Sequence, residues 1–291
     1  MRSAVWVFAM KLSVFHRTKY EYASPVKESF NEARLQPLSN EYQHCDSFVL
    51  KVLPATRLSH YSDFHANVLH FFELQESHQS LLVESFSKVT TKAHLIAPDA
   101  LPASMALIPQ CQRMERCFDF LQDSTHTEKS PEAWRLALDI TVGHTDMWQA
   151  SLAIMRYVHG HFAYSPNATS VHTHMREVLR NQRGVCQDLA HVMIGLCRAI
   201  GIPALYVSGY LYNGPRDQLL GAQASHAWCE VFLPGTGWQG LDPTNNQQTD
   251  ERYIKLAVGR DYADVPPVRG HYKGTTERVM TVEVLVEEIV L

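Results

Sequence analysis

The chain has 291 residues, 45% of them hydrophobic and 19% charged, with a formal net charge of −4 at pH 7. That composition supplies packed cores and argues against disorder. The slight acidity, with no basic run, argues against a nucleic-acid partner, and no apolar run approaches the ~20 residues of a membrane span.

Residues 1–10 read as an unstructured leader. Arg2 precedes the apolar stretch 4–10, which is at the short limit for an export signal and lacks a small-x-small cleavage site. A cytoplasmic protein is therefore expected. Residues 11–95 read as β. The stretches 11–16 and 18–22 alternate, and 46–52, 67–74 and 81–89 are further strand-like runs separated by Pro, Asn, Ser and Asp. A small β-sandwich is expected there. Residues 96–145, punctuated by Pro98, Pro102 and Pro109, carry helical spacing around 111–122 and 131–140 and read as a helical connector.

From 146 to 291 the pattern is mixed. Residues 146–160 read as a helix with Trp148, Leu152, Met155 and Tyr157 as apolar positions. A buried helix is expected over 189–199, with Gly201 near its C-cap. A strand follows at 204–211. Residues 227–233 and 238–242 form a hairpin about Pro234-Gly235-Thr236-Gly237, and 278–286 is a last long strand. The overall expectation is an α+β fold.

The six cysteines, Cys45, Cys111, Cys117, Cys186, Cys197 and Cys229, include no C-x-x-C pair. In a chain this large, without a clear export signal, mostly reduced and buried thiols are expected. Sixteen histidines raise the question of a metal. His159 and His161, and His172 and His174, are paired, the latter on a strand-like segment. No carboxylate stands at a telling offset and no H-E-x-x-H occurs, so neither metal nor cofactor is expected.

One cysteine has partners. Cys186 follows Gly184-Val185 where a helix would begin, and the unpaired N–H groups of a helix start favour negative charge. His226 lies at a strand edge in Ser225-His226-Ala227-Trp228, where it can serve as a base. Asp242 ends the return strand of the hairpin and can orient that imidazole. Whether it does depends on register, because a slip of one residue would turn the two side chains to opposite faces.

Four motifs in order resemble the bacterial transglutaminase-like superfamily. They are Gly184-Val185-Cys186-Gln187-Asp188, then Gly201-Ile202-Pro203-Ala204 with Val207-Ser208-Gly209-Tyr210, then Ser225-His226-Ala227-Trp228, then Asp242-Pro243-Thr244-Asn245. The N-terminal β region is similar to the β domain preceding the core in that group. The resemblance implies a papain-like core, with the nucleophile's helix packed on an antiparallel sheet. It also implies Cys186 as nucleophile, His226 as base and acid, Asp242 as orienting acid and the Cys186 N–H as an oxyanion donor. Gln187, Asp188 and Asn245 are supporting candidates, and Trp228 and Trp238 either wall a substrate groove or pack on the sheet. The acidic calcium loops of animal transglutaminases have no counterpart here.

The expected activity is thiol-dependent hydrolysis of a peptide or carboxamide bond through a thioester, with a peptide or protein substrate. Transfer to a primary amine is the alternative enzymatic outcome, and a non-catalytic peptide-binding scaffold the alternative from another class. Oligomeric state is not legible in the sequence.

Overall fold

The computed structural model describes residues 9–97, 99–166, 173–214, 219–220 and 225–290. Residues 1–8 of the expected leader lie outside these, and Ala9 and Met10 already belong to the first strand.

Five strands come first: β1 (Ala9–Ala33), β2 (Gln43–Leu53), β3 (Ser59–Ser62), β4 (Val68–Leu74) and β5 (His78–Lys92). The connector holds two single-turn helices, α1 (Ile108–Cys111) and α2 (Glu115–Phe118), then α3 (Pro131–Ile140). Pro131 opens α3 and the Ser130 hydroxyl accepts the Ala133 N–H. In α4 (Met147–His161) the Asp146 carboxylate accepts the Trp148 and Gln149 N–H groups. β6 (Ala163–Tyr164), α5 (Met175–Asn181), β7 (Arg183–Gly184) and α6 (Cys186–Ala199) follow. Then come β8 (Ala204–Leu211), β9 (His226–Leu233), β10 (Gly237–Asp242), β11 (Gln247–Gln248), β12 (Tyr253–Gly259), β13 (Val268–Lys273) and β14 (Arg278–Glu288).

The alternating stretches 11–16 and 18–22 are one continuous piece of β1. Alternation runs straight through Arg17. Leu12, Val14, His16, Thr18, Tyr20 and Tyr22 face inward, while Arg17 faces out between Glu84 at 2.8 Å and Glu283 at 2.9 Å on the flanking strands. β1 changes register between Glu21 and Val26. Before that point it pairs with β5 and β14, and after it with β4 and β13. One curled antiparallel sheet thus folds into two layers that share β1. Tyr20, Tyr22, Val26, Phe72, Leu81 and Val83 are among the residues packed between them.

The second sheet is antiparallel, in the order β11-β10-β9-β8-β12. α6 lies on one face, and Leu189, Val192, Met193 and Leu196 join Tyr206, Cys229 and Val231 in the largest hydrophobic cluster. Gly201, at φ +85°, ends that helix. Arg198 is buried and donates to the carbonyls of Ala204, Gln122 and Arg260, which ties the connector to α6. The other face packs Leu205, Val207, Trp228 and Tyr253. All six cysteines are free thiols, four of them buried.

An edge strand leaves backbone groups unpaired. The outer edge of β12 is covered by two buried amides from the first sheet. Asn67 exchanges two hydrogen bonds with the Val258 backbone, at 2.8 and 2.7 Å. Gln43 does the same with Lys255, at 2.8 Å each way. Tyr210 of β8 adds a 3.0 Å hydrogen bond to His16 of β1. Burial pushes the His16 pKa down to about 4, so the imidazole is neutral there.

Two glycines give opposite expectations. A Cβ at Gly209 would lie 2.2 Å from the Ile254 carbonyl oxygen and 2.4 Å from the Trp228 ring. Gly209→Ala should therefore cost about 3 kcal/mol, through overpacking against a backbone atom that cannot move away. A Cβ at Gly160, inside α4, meets nothing within 4 Å, so Gly160→Ala should stabilise by ~0.5–1 kcal/mol. Urea unfolding of both variants measures the two signs.

Candidate active site

α6 begins in an unusual way. Its N-cap residue, Val185, has no side-chain acceptor. The carboxylate of Asp188 instead turns back and accepts the Val185 N–H at 2.8 Å, half of a capping box. Gly184 leaves room for this, since a Cβ there would sit 2.6 Å from the Asp188 Cβ and 2.7 Å from its Oδ2. Asp188 therefore supports the helix start. Gln187 is buried beside it. Cys186 occupies the first helical position and is part-exposed. Its N–H belongs to the first turn, where the helix offers no acceptor.

β9 and β10 settle the register. Leu241 pairs with Cys229, so position 242 falls beside 228, two residues from His226 and on the same face. The His226 Nε2 donates to the Asp242 Oδ2 at 2.8 Å. Both side chains are inaccessible to solvent.

Asp242 has four further donated hydrogen bonds. Asn245 Nδ2 at 2.7 Å and the Tyr253 hydroxyl at 2.7 Å reach the same Oδ2. The Thr244 N–H at 2.8 Å and the Asn245 N–H at 3.3 Å reach Oδ1. Burial alone would raise the Asp242 pKa. The charge of His226 and the hydrogen bonds from His226, Asn245 and Tyr253 outweigh it and hold the carboxyl below its ordinary range. Burial likewise opposes charge on His226, but Asp242, through charge and hydrogen bond, and then Cys186 raise its pKa to about 10. Nδ1 of His226 is buried with no hydrogen-bond partner among the described residues, and the Cys186 thiol is close enough to raise the ring's pKa. The arrangement is an imidazole whose far nitrogen is fixed by an acid, beside a thiol at a helix start.

The other candidates sort by position. Asn245 bonds both Asp242 and, through its Oδ1, the Leu220 N–H at 2.9 Å. Trp228 is buried, its ring 6.2 Å from His226 and edge-on to Tyr253 at 5.2 Å; it packs behind the imidazole. Trp238 is part-exposed, edge-on to Phe120 and Phe232. It does wall a cleft, of about 940 Å³, but none of Cys186, His226 and Asp242 lines that space.

Two residues near the site had no sequence signal. Tyr253 reaches Asp242 from β12, and its own hydroxyl accepts Gln247 Nε2 at 2.8 Å. Tyr164, on β6 opposite Gly184, has its pKa raised by burial and then by Cys186 and Asp242, which places it in the same electrostatic neighbourhood.

The paired histidines separate. His159 bonds the Thr244 carbonyl at 3.1 Å and His161 the Tyr157 carbonyl at 2.9 Å. His172 lies outside the described residues. His174, expected on a strand, instead caps α5, where its ring accepts the Arg176 N–H; a polar side chain before a helix serves the orphan donors of its first turn. Among the described residues no group of three or more His, Cys, Asp or Glu could hold a metal ion.

Comparison with known proteins bears on the same segments. Residues 135–243 match the transglutaminase-like superfamily and residues 12–90 the bacterial transglutaminase-like N-terminal region. An uncharacterized protein of Mycobacterium leprae is 35% identical over 279 residues, covering 94% of this chain and 98% of the relative. A protein-glutamine gamma-glutamyltransferase of Pseudomonas aeruginosa is 31% identical over 157 residues, covering 50% of this chain and 24% of the relative. The crystal structure of a proposed cysteine protease from Cytophaga hutchinsonii superposes with a TM-score of 0.80 at 23% identity, covering 98% of this chain and 93% of that one, and so shares the fold.

The raised pKa of His226 has a consequence for stability. Its contribution is complete below the ordinary histidine value of 6.5 and is lost as pH rises towards about 10. In a Cys186→Ala background, which removes the thiol's own titration, stability should fall across that window. Asp242→Asn should remove most of the slope and lower the His226 pKa by ~2 units or more. Ring NMR titration and urea unfolding at stepped pH measure both.

Proposed function

This chain belongs to the transglutaminase-like superfamily, and we propose that it hydrolyses a peptide or carboxamide bond through a thioester on Cys186. The observation that carries the reading is the buried His226–Asp242 pair. It leaves Nδ1 as the one ring nitrogen able to exchange a proton with the thiol. In the proposed cycle the thiol proton already sits on the imidazole, whose raised pKa favours the charged form, and the thiolate attacks the carbonyl carbon. The oxyanion is met by the Cys186 N–H, which has no acceptor in the helix. Imidazolium then protonates the departing nitrogen, the C–N bond breaks, and a thioester remains. Water, deprotonated by His226, attacks it, and the C–S bond breaks to release a carboxylic acid and the thiol.

The second half-reaction separates hydrolysis from transfer. An amine wins over water only where the site excludes water, and Cys186 is part-exposed, so water is favoured as acceptor. Asp242 acts as the positioning acid. Tyr253 and Asn245 are positioning residues that keep it ionised and aimed, while Trp228 backs the ring. The substrate class that fits is a peptide or protein segment offering an amide to a surface thiol.

A library of peptides and primary amides, incubated with wild type and with Cys186→Ala, tests this by product mass, with and without an added primary amine. A carboxylic-acid product is expected. It should fall on the order of 10³-fold or more in Cys186→Ala and stay unchanged by the amine. A predominant amine conjugate would replace hydrolysis by transfer. Absence of any Cys186-dependent product, together with equal alkylation of Cys186 by iodoacetamide in wild type and His226→Ala, would favour a binding scaffold.

A further inference from the structure

A second cavity lies between the first sheet and the segment that follows β12. It measures about 420 Å³ and includes none of Cys186, His226 and Asp242 among its walls. Its rings are Tyr20 and Tyr22 from β1, Tyr272 from β13, Tyr262 and the imidazole of His126, with Arg269 and Arg278 at the side. Tyr20 and Tyr22 run parallel at 6.4 Å, and Tyr22 meets Tyr272 edge-on at 4.9 Å. Among the described residues no Asp or Glu lines the cavity.

Two features are unexplained by packing. Tyr20 and Tyr22 are only 8% and 5% exposed, yet neither hydroxyl has a hydrogen-bond partner among the described residues. Neither is among the fully buried unsatisfied atoms, so each oxygen keeps some accessible surface, and both residues line the cavity. Burial raises both phenols, Tyr22 to about 12, so both are O–H donors at neutral pH.

The other feature is charge. Arg269 is neutralised by Glu32 at 2.8 Å. Arg278 has no carboxylate within 4.0 Å among the described residues. Its guanidinium stands over the Tyr20 ring at 5.5 Å and the Tyr272 ring at 5.7 Å, and it reaches the Tyr272 hydroxyl at 3.5 Å. An uncompensated cation, phenolic donors and ring walls without an acid are complementary to an anion carried on a flat apolar body. The volume suits a small molecule or one side chain with its terminus.

We propose that this cavity is a binding site, separate from Cys186, for a carboxylate borne on an aromatic group. The carboxylate meets Arg278 and the Tyr20 and Tyr22 hydroxyls, and the ring lies among the tyrosines. A free aromatic acid and a chain ending in an aromatic residue present this same chemistry.

The test is calorimetric titration of full-length Cys186→Ala protein, so that turnover plays no part and the outcome is independent of the proposed hydrolysis. The probes are phenylacetate, phenylacetamide, inorganic phosphate and a short peptide ending in phenylalanine, free or amidated at its C-terminus. The expected result is saturable binding of phenylacetate or of the free peptide, with each uncharged counterpart about tenfold weaker or worse. The tighter of the two acids identifies the source. Arg278→Gln should weaken binding by about tenfold; Arg278 is exposed, so this variant should keep its thermal midpoint. Tyr22→Phe, which keeps the ring, should weaken it about threefold or more. Equal affinity for acid and amide, unchanged affinity in both variants, phosphate binding as tightly as phenylacetate, or no binding of either acid would overturn the assignment.

Discussion

An ionised carboxylate sealed from water costs several kcal/mol unless donors replace its hydration. Asp242 meets that requirement with five donated hydrogen bonds drawn from three parts of the core: His226 at the start of β9, the 244–245 turn, and Tyr253 at the start of β12. Each donor is useful only if its element is in place. The hairpin register, the turn after β10 and the position of β12 are thereby tied together, and the orientation of His226 follows from them.

The same constraint reaches the first sheet. β12 carries Tyr253 and is an edge strand, and its free backbone groups are taken up by Gln43 and Asn67 rather than by another strand. The N-terminal sheet thus holds from outside the strand that holds Asp242 from inside. Its own organisation depends on the length of β1, which serves both layers and accepts the last two strands of the chain. At the start of α6, Asp188 closes the turn before Cys186 by accepting the Val185 N–H, and Gly184 makes the space. Two buried acids therefore shape this region, one setting the start of the helix that carries Cys186 and the other holding the His226 imidazole.

Much of this was legible in the amino-acid order. Alternation and turn residues marked β1, β2, β4, β5 and β14 of the first sheet but not β3 or β13, and 3.6-residue spacing with Asp146 and Gly201 marked α4 and the end of α6. The motif around Cys186, the hairpin residues and the strand-ending Asp242 named the three groups that the fold gathers. These signals are local: a cap, a turn or a periodic face is decided by residues within a few positions of one another, so the chain displays them directly. The alternation read on either side of residue 17 is one strand, because an outward Arg17 continues it with acids on both neighbouring strands.

Tertiary structure alone decided the rest. The sequence could place Asp242 near His226 but not on its face, because register depends on which residues pair across the hairpin. Tyr253 and Asn67 carried no signal, since their roles lie in donors and acceptors brought together from 11 and 191 residues away. The pairing of β14 with β1 and the tyrosine-lined cavity beside Arg278 likewise join opposite ends of the chain. The sequence by itself determined the groups available for thiol chemistry and the local elements that bear them. Only the folded chain determined which nitrogen of His226 is held, what keeps Asp242 charged and which buried hydroxyls are left without a partner, because each is a balance between burial and hydrogen bonding that exists only once distant segments meet.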